Sequence, residues 1–317
     1  MKATSTELIV IFGYGPVGKA TAARLISQGR NIRIAQRKPP VDLPVEAQFI
    51  ECDALDGHSV LRAAQNASQI VVSIGLEYDG KVWQDSWPKA MRNFIDACEA
   101  TGARMVFLDN MYMYGPQNAP LREDMPLSDY PRKPAARSAI TRMWQDATAA
   151  GRVKVAALRP PDFYGPGVTQ SHLGDQAFLP LAKGKSATLA CNPDMPHDFA
   201  YVPDIGRAMV TLLDAPDQDF NQAWHMPCAP TLTPRQIIDI GAKAMNVKPR
   251  IMALPAWSLP FLGLFMPFLR ELHEMRFQWD RPYLVDAEKF KRHFWSDITP
   301  FEEGVKATAL SFQHLTN

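Results

Sequence analysis

The stretch ELIVIFGYGPVGKATAARLISQG, residues 7–29, decides the fold. Its opening, ELIVIFG (7–13), is an apolar run of strand length that ends in glycine, the pattern of a strand buried on both faces. KATAARLISQG (19–29) has helical spacing and is stopped by Gly29. Between them stands Gly13-Tyr14-Gly15-Pro16-Val17-Gly18. Gly-x-Gly-x-x-Gly is a weak signal alone, but between a strand and a helix each glycine has a task. The first permits a tight turn, the second lets backbone approach a pyrophosphate, and the third lets helix and strand pack closely. The helix N-terminus then offers free N–H groups and the positive end of its dipole to phosphate oxygens. Residues 13–18 therefore read as the cradle of a dinucleotide.

The second strand, NIRIAQR (31–37), indicates which dinucleotide. A site for NAD carries an acidic residue near the end of this strand, where it binds the ribose 2′-hydroxyl. Gln36-Arg37-Lys38 stands there instead. Two cations suit a 2′-phosphate, which arginine grips bidentately. The expected cofactor is NADP, with NAD the alternative. Asp53 and Ala54, after the third strand, fall where the adenine amine would be met; Asp53 reads equally as a turn aspartate in DALD. Ser73-Ile74-Gly75 ends the fourth strand, where backbone and a small hydroxyl can approach the cofactor ribose.

Further out, the alternation continues. AQFIECD (47–53), QIVVSIG (69–75), RMVFLDN (104–110) and VKVAALRP (153–160) read as strands, with helical patterns such as MRNFIDACEATG (91–102) between most of them. Alternating strands and helices imply a parallel sheet covered on both faces. Beyond residue 160 the rhythm breaks and proline becomes frequent, although HDFAYVPDIGRAMVTLL (197–213) reads as a strand and a helix opening at Asp204, an N-cap. AWHMP (223–227) reads as one more strand. The expected division is 1–160 plus 197–230 for a dinucleotide-binding domain, and 161–196 plus 231–317 for a smaller substrate domain.

Bulk properties exclude several classes. The chain has 317 residues, 46% hydrophobic and 21% charged, with a net charge of +1. That is ordinary for a globular protein and gives no reason to expect nucleic acid as a partner. Cys52, Cys98, Cys191 and Cys228 are scattered, which fits a reducing cytoplasm and argues against a disulfide framework or a zinc site. His273-Glu274 is not His-Glu-x-x-His, no other histidine has ligand spacing, and no Gly-x-Ser-x-Gly elbow is present. The N-terminus lacks the apolar core and cleavage site of a signal peptide. Trp257–Leu269, WSLPFLGLFMPFL, is shorter than the roughly 20 apolar residues of a span and is broken by Pro260 and Pro267. It reads as a buried or ligand-covering segment, with interfacial membrane attachment as the alternative; the longer stretch Trp257–Trp279 reads as core or as a pocket lid, and a lid would favour an apolar substrate.

Four segments together resemble one family. Gly-x-Gly-x-x-Gly, then MYMYGP (111–116), RPPDFYGPG (159–167) and HDFAYVPD (197–204), occur in the order of the extended short-chain dehydrogenase/reductases, the NAD-dependent epimerase/dehydratase family. TPFEEGVKAT (299–308) resembles the family's tail, so the likeness spans almost the whole chain. It implies an α/β protein, a Rossmann-type doubly wound sheet with a smaller C-terminal substrate domain and a cleft between them. It also implies Pro160 near the nicotinamide, Tyr164 on the substrate side, and a homodimer through helices flanking the active site.

The departures from that pattern are specific. Redox members of the family use Tyr-x-x-x-Lys on the helix after the Tyr-Gly motif, and a Ser or Thr four residues before that motif's tyrosine. Lysine and cofactor charge lower the tyrosine's pKa from about 10, so that it exchanges a proton with the substrate oxygen. Here the residue four before Tyr114 is Asn110, and the best register puts Lys133 and Arg137 in the tyrosine and lysine positions. Lys133 is the first candidate for proton donor, since burial and a nearby cation both disfavour an ammonium; isoflavone-reductase-like relatives rely on a lysine. It counts as a cofactor contact too. Tyr112, Tyr114 and Tyr164 are the other candidates, with Asn110 orienting the substrate oxygen and Arg137 supporting Lys133. The expected activity is NADP-dependent redox at a carbonyl or alcohol carbon of a small, moderately apolar molecule. The alternatives are a sugar epimerase or dehydratase with bound NAD(P), and a non-catalytic NADP sensor like the NmrA-like regulators.

Overall fold

The computed structural model describes residues 7–254 and 267–314, with backbone alone for 267–270. Five-residue β1 (Leu8–Phe12) is buried along its whole length, as its unbroken apolar run requires. It pairs in parallel with β2 (Asn31–Gln36) on one side and β4 (Ala67–Val72) on the other. β3 (Ala47–Glu51) extends the sheet beyond β2, and β5 (Arg104–Leu108) and β6 (Val155–Arg159) extend it beyond β4, each parallel to its neighbour. With β10 (Gln222–His225), the described strands run β10-β6-β5-β4-β1-β2-β3. The reversal of strand order between β1 and β4 makes this a Rossmann-type doubly wound sheet.

Helices α1 (Pro16–Ser27), α2 (Gly57–Ala64), α3 (Gly80–Thr101) and α4 (Arg132–Ala149) connect these strands. α1 begins at Pro16, earlier than its apolar spacing shows, because proline at the first helical position gives up an N–H that would be unpaired anyway. α3 buries Trp83, Trp87, Met91 and Phe94 on one face. The Phe94 ring meets the edge of Phe12 at 5.0 Å between centroids, so the helix is locked onto the strand that feeds the glycine turn.

The chain divides into two compact units. The first comprises Met1–Met113, Leu127–Arg159 and Ile205–Trp224; the second comprises Tyr114–Pro126, Pro160–Asp204 and His225–Asn317. Residues 114–126, expected within the dinucleotide-binding domain, thus cluster with the second unit. That unit holds two short parallel ladders. β7 (Asp162–Tyr164) pairs with β9 (Phe199–Tyr201), and β8 (Ala187–Leu189) pairs with β11 (Ile251–Ala253). Its core includes Tyr164, Phe178, Phe199, Ile237, Trp279 and Phe312. The helix Pro234–Ala244 starts with a capping box, Thr233 and Gln236 bonding each other's backbone N–H.

β5 ends at Leu108, and Tyr112–Tyr114 follows as a 3-10 turn. One local expectation is corrected. Asp204 is not an N-cap: the helix Val202–Asp214 starts two residues earlier, and the Asp204 carboxylate instead accepts the Thr299 N–H and hydroxyl, each at 3.0 Å. Among the described residues no helix is long and apolar enough to cross a membrane. Apart from the backbone of its last three residues, Trp257–Leu269 lies outside the described residues. Farther along, Met275, Phe277 and Trp279 are buried, as core residues should be.

Candidate functional site

Gly13 leaves β1 at φ +93°, a left-handed conformation that glycine adopts without strain. A Cβ on Gly13 would lie 2.7 Å from the Ser73 carbonyl oxygen, and one on Gly18 would lie 2.1 Å from that of Gly13. These two glycines let the ends of β1 and β4 and the start of α1 close on one another. Gly15 differs: a Cβ there would meet nothing within 4 Å. It faces open space, which is where a ligand needs the backbone bare. α1 has no side-chain cap and no acid in its first turn, so its N-terminal N–H groups have no competing anion.

This turn borders a groove of about 810 Å³ within the first unit. The groove brings together Gly13, Tyr14 and Gly15 with Arg37 and Lys38. It also takes in Asp53, Ala54, Ser73, Ile74 and Gly75. Pro16, Val17 and Gly18 form the first turn of α1 beside it. Gln36 ties two walls together, since its Oε1 accepts the Tyr14 N–H at 3.0 Å and its Nε2 donates to the Lys38 carbonyl at 2.8 Å. Arg37 and Lys38 are exposed, and the salt bridges among the described residues include neither. Lys19, one turn into α1, is held by Asp42 at 2.6 Å. Burial, and then Asp42, raise the Tyr14 phenol, so it stays neutral beside the cradle. The Asp53 Oδ1 accepts the Leu55 N–H at 2.9 Å, the turn role, and its other oxygen is left to accept. Ser73 donates its hydroxyl to the Gly13 carbonyl at 2.9 Å, so it braces the glycine turn.

Lys133 sits in the first turn of α4 and is fully buried. Its Nζ lies 4.6 Å from the centroid of the Tyr78 ring, and Tyr78 directly follows Glu77 of the groove wall. Tyr78 meets the Trp83 indole edge-on at 5.7 Å, and Trp83 stacks on Tyr112 at 6.0 Å and 14°. The Asn110 Oδ1 accepts the Tyr112 N–H at 3.0 Å, which leaves its amide NH2 as the donor end.

Three candidates are placed in packed interior. Arg137, expected beside Lys133, is buried with its guanidinium on the Asp109 carboxylate, and Arg159 holds the same carboxylate at 3.1 Å. Its charge is already met. Tyr114 is 1% exposed, with its hydroxyl 2.7 Å from His225 Nε2. Tyr164 stacks on Phe301 at 5.6 Å in the second unit, and burial raises its phenol far above the usual range, so it keeps its proton. Pro160, at the head of the second unit's central segment, is buried too.

Sequence reasoning passed over Asp109, although an acid ending the apolar run RMVFL is a signal of a buried pair. It also missed a column of rings in the second unit: Trp279 lies between His172 and His197, at 3.8 and 4.0 Å. His197 Nε2 is bonded to Asp162 at 2.9 Å. Contacts between segments a hundred residues apart leave no local pattern. Among the described residues no cluster of His, Cys, Asp and Glu could hold a metal ion.

Comparison with known proteins agrees with this architecture. The model of the NAD dependent epimerase/dehydratase family matches residues 9–225. A dTDP-6-deoxy-L-talose 4-dehydrogenase (NAD(P)(+)) of Kitasatospora kifunensis is 27% identical over 270 residues, covering 79% of this chain and 82% of that protein. Among solved structures, the Thermus thermophilus UDP-glucose 4-epimerase in complex with NAD superposes with a TM-score of 0.77 at 17% identity, over 96% of this chain and 99% of that one. The Bordetella bronchiseptica enzyme WbmH in complex with NAD+ gives 0.76 at 18%, over 97% and 98%. Structural likeness at such identities speaks for the fold, while the sequence match carries the family. The chain belongs to the NAD dependent epimerase/dehydratase family.

Proposed function

We propose that the chain is an NADP-dependent oxidoreductase acting at a carbonyl or alcohol carbon of a small, moderately apolar molecule, with Lys133 exchanging the proton at the substrate oxygen. The observation that carries the cofactor choice is the exposed pair Arg37 and Lys38 on the groove rim, with no salt-bridge partner among the described residues. Cations without a counter-charge at the end of β2 are what a 2′-phosphate requires, and an NAD site has an acid there. The cradle fits a pyrophosphate, with bare backbone at Gly15 and an uncapped helix N-terminus behind it. When bound, the nicotinamide supplies or takes up a hydride. The residues of this chain would do the rest. Gly13 and Gly15 bring backbone to the phosphates, Arg37 and Lys38 grip the 2′-phosphate, and Asp53 accepts from the adenine amine. The Lys133 Nζ gives or takes the proton, and the Asn110 NH2 orients the substrate oxygen. The second unit would supply the substrate-binding surface.

The talose dehydrogenase relative favours a second reading, in which the substrate is a nucleotide-linked deoxysugar. One screen separates the readings: NADPH oxidation against small ketones and aldehydes, and NADP reduction with dTDP-6-deoxy-L-talose. Turnover of the nucleotide sugar alone would reject a small apolar substrate. Lys133→Met should lower turnover at least a hundredfold, the span of one general acid, while NADP affinity stays within a few-fold. Retained turnover removes lysine as the acid. Tight NADPH binding with no hydride transfer to any substrate would make the protein a sensor.

A further inference from the structure

We infer that Gln36 is the positioning residue for the cations of the groove rim, its amide tying the glycine turn to the Arg37-Lys38 bend and so setting where a 2′-phosphate is met; this rests on the NADP reading proposed above. Gln36 ends β2 and lines the groove together with Tyr14, Arg37 and Lys38. Its Oε1 accepts the Tyr14 N–H at 3.0 Å, and its Nε2 donates to the Lys38 carbonyl at 2.8 Å. These partners fix which way round the amide lies, because an N–H only donates and a carbonyl only accepts. The backbone of Gln36 stays in the sheet, its carbonyl accepting the Cys52 N–H at 3.0 Å. A carboxylate of the same length could take the Tyr14 N–H but would turn an oxygen towards the Lys38 carbonyl. The acid that an NAD site carries at this strand end therefore does not fit this bend, and the glutamine does more than leave the acid out.

The bend gains from being held at this point. Lys38 precedes Pro39-Pro40; a residue before proline is confined to extended backbone, and each proline fixes its own φ. A hydrogen bond to the Lys38 carbonyl thus orients a stiff segment and not a single residue. The far side of the loop is held by Asp42, paired with Lys19 of α1 at 2.6 Å. That pair is exposed on both sides and weak on its own, so the near side depends on Gln36. Arg37 and Lys38 are exposed and must be ordered to grip a phosphate; a backbone placed beforehand lowers that cost.

The test replaces Gln36 of the full chain by methionine, which keeps the length and removes both hydrogen bonds. Calorimetry should show NADP weakened about tenfold, the worth of one or two neutral hydrogen bonds, and NAD by less than about twofold. In an Arg37→Ala/Lys38→Ala background the same substitution should cost NADP less than about twofold, because the brace acts through those cations. Trypsin gives a readout without cofactor. It cuts after Arg37 but is blocked after Lys38 by Pro39, so peptide mass spectrometry follows one cut in the bend. Gln36→Met should be cut there about fivefold faster than wild type, with rates at other sites unchanged. A Gln36→Met variant that weakens NADP and NAD alike overturns the inference. So does a tenfold loss that persists without the two cations, or equal cutting of variant and wild type. Wild type binding NADP no tighter than NAD would instead overturn the cofactor reading, and the cutting rates alone then judge the brace.

Discussion

Arg37→Ala tests the cofactor assignment with a magnitude that the structure bounds. A guanidinium–phosphate hydrogen bond is worth roughly 1.5–3 kcal/mol. Arg37 is exposed at the rim, where water screens charge, so the lower part of that range applies. About 2 kcal/mol corresponds to a loss of roughly thirtyfold in NADP affinity, at 1.4 kcal/mol per tenfold. The loop should survive the change. Its geometry is set by Gln36, which bonds the Tyr14 N–H and the Lys38 carbonyl, and the Arg37 side chain takes no part in those bonds. NAD lacks the 2′-phosphate, so its affinity should move less than twofold. Lys38→Ala should cost NADP about tenfold, and the double variant less than the product, because both cations share one phosphate. Calorimetry at 0.05 and 0.3 M salt adds a second check. NADP affinity should weaken with salt by more than NAD affinity, and the difference should shrink in Arg37→Ala. Equal wild-type affinities for NADP and NAD, or an Arg37→Ala change that weakens both alike, would refute the 2′-phosphate reasoning.

Other changes separate binding from folding. Gly15→Ala should leave the melting temperature unchanged, since its Cβ meets nothing, yet weaken both dinucleotides at least tenfold by calorimetry. Gly18→Ala should instead lower stability, because its Cβ would lie 2.1 Å from the Gly13 carbonyl oxygen. Asp109→Asn leaves Arg137 and Arg159 buried without their carboxylate, and urea unfolding should show a loss of about 3–5 kcal/mol. His172 has its Nε2 sealed from solvent without a partner, and burial lowers its pKa from 6.5 to about 4. The unfolded chain then binds a proton that the folded protein refuses. Stability from this group is constant above pH ~6.5 and falls towards pH ~4, by about 3 kcal/mol in all. His172→Gln should remove that fall from urea titrations at pH 7 and 4.5; an unchanged pH slope would refute it.

The sheet was legible because its signals are local. ELIVIFG and the glycines that follow specify a strand, a turn and a helix within 23 residues, and the alternation up to Arg159 repeats that unit. The groove was legible for the same reason: its walls are strand ends, and strand ends can be located by pattern. What the pattern could not carry was partnership. Arg137 looked like support for Lys133 because the two stand in the lysine and tyrosine positions of the family's Tyr-x-x-x-Lys register. Its actual partner, Asp109, lies 28 residues away in sequence, at the end of a strand whose apolar run had already explained that segment. Tyr114 likewise found His225 across 111 residues.

The Asp109 pairing also changes how the family's missing tyrosine should be understood. In the usual Tyr-x-x-x-Lys arrangement, the cation one helical turn on makes the phenol a better acid. Here the residue in that position is buried on a carboxylate that it shares with Arg159, so its charge is spoken for within the core. Restoring tyrosine at position 133 would supply the phenol without the free cation that it works beside. Residues 109, 137 and 159 are thus tied together in the core through one carboxylate, so a change at 137 is a change to that buried pairing as much as to the helix that carries Lys133.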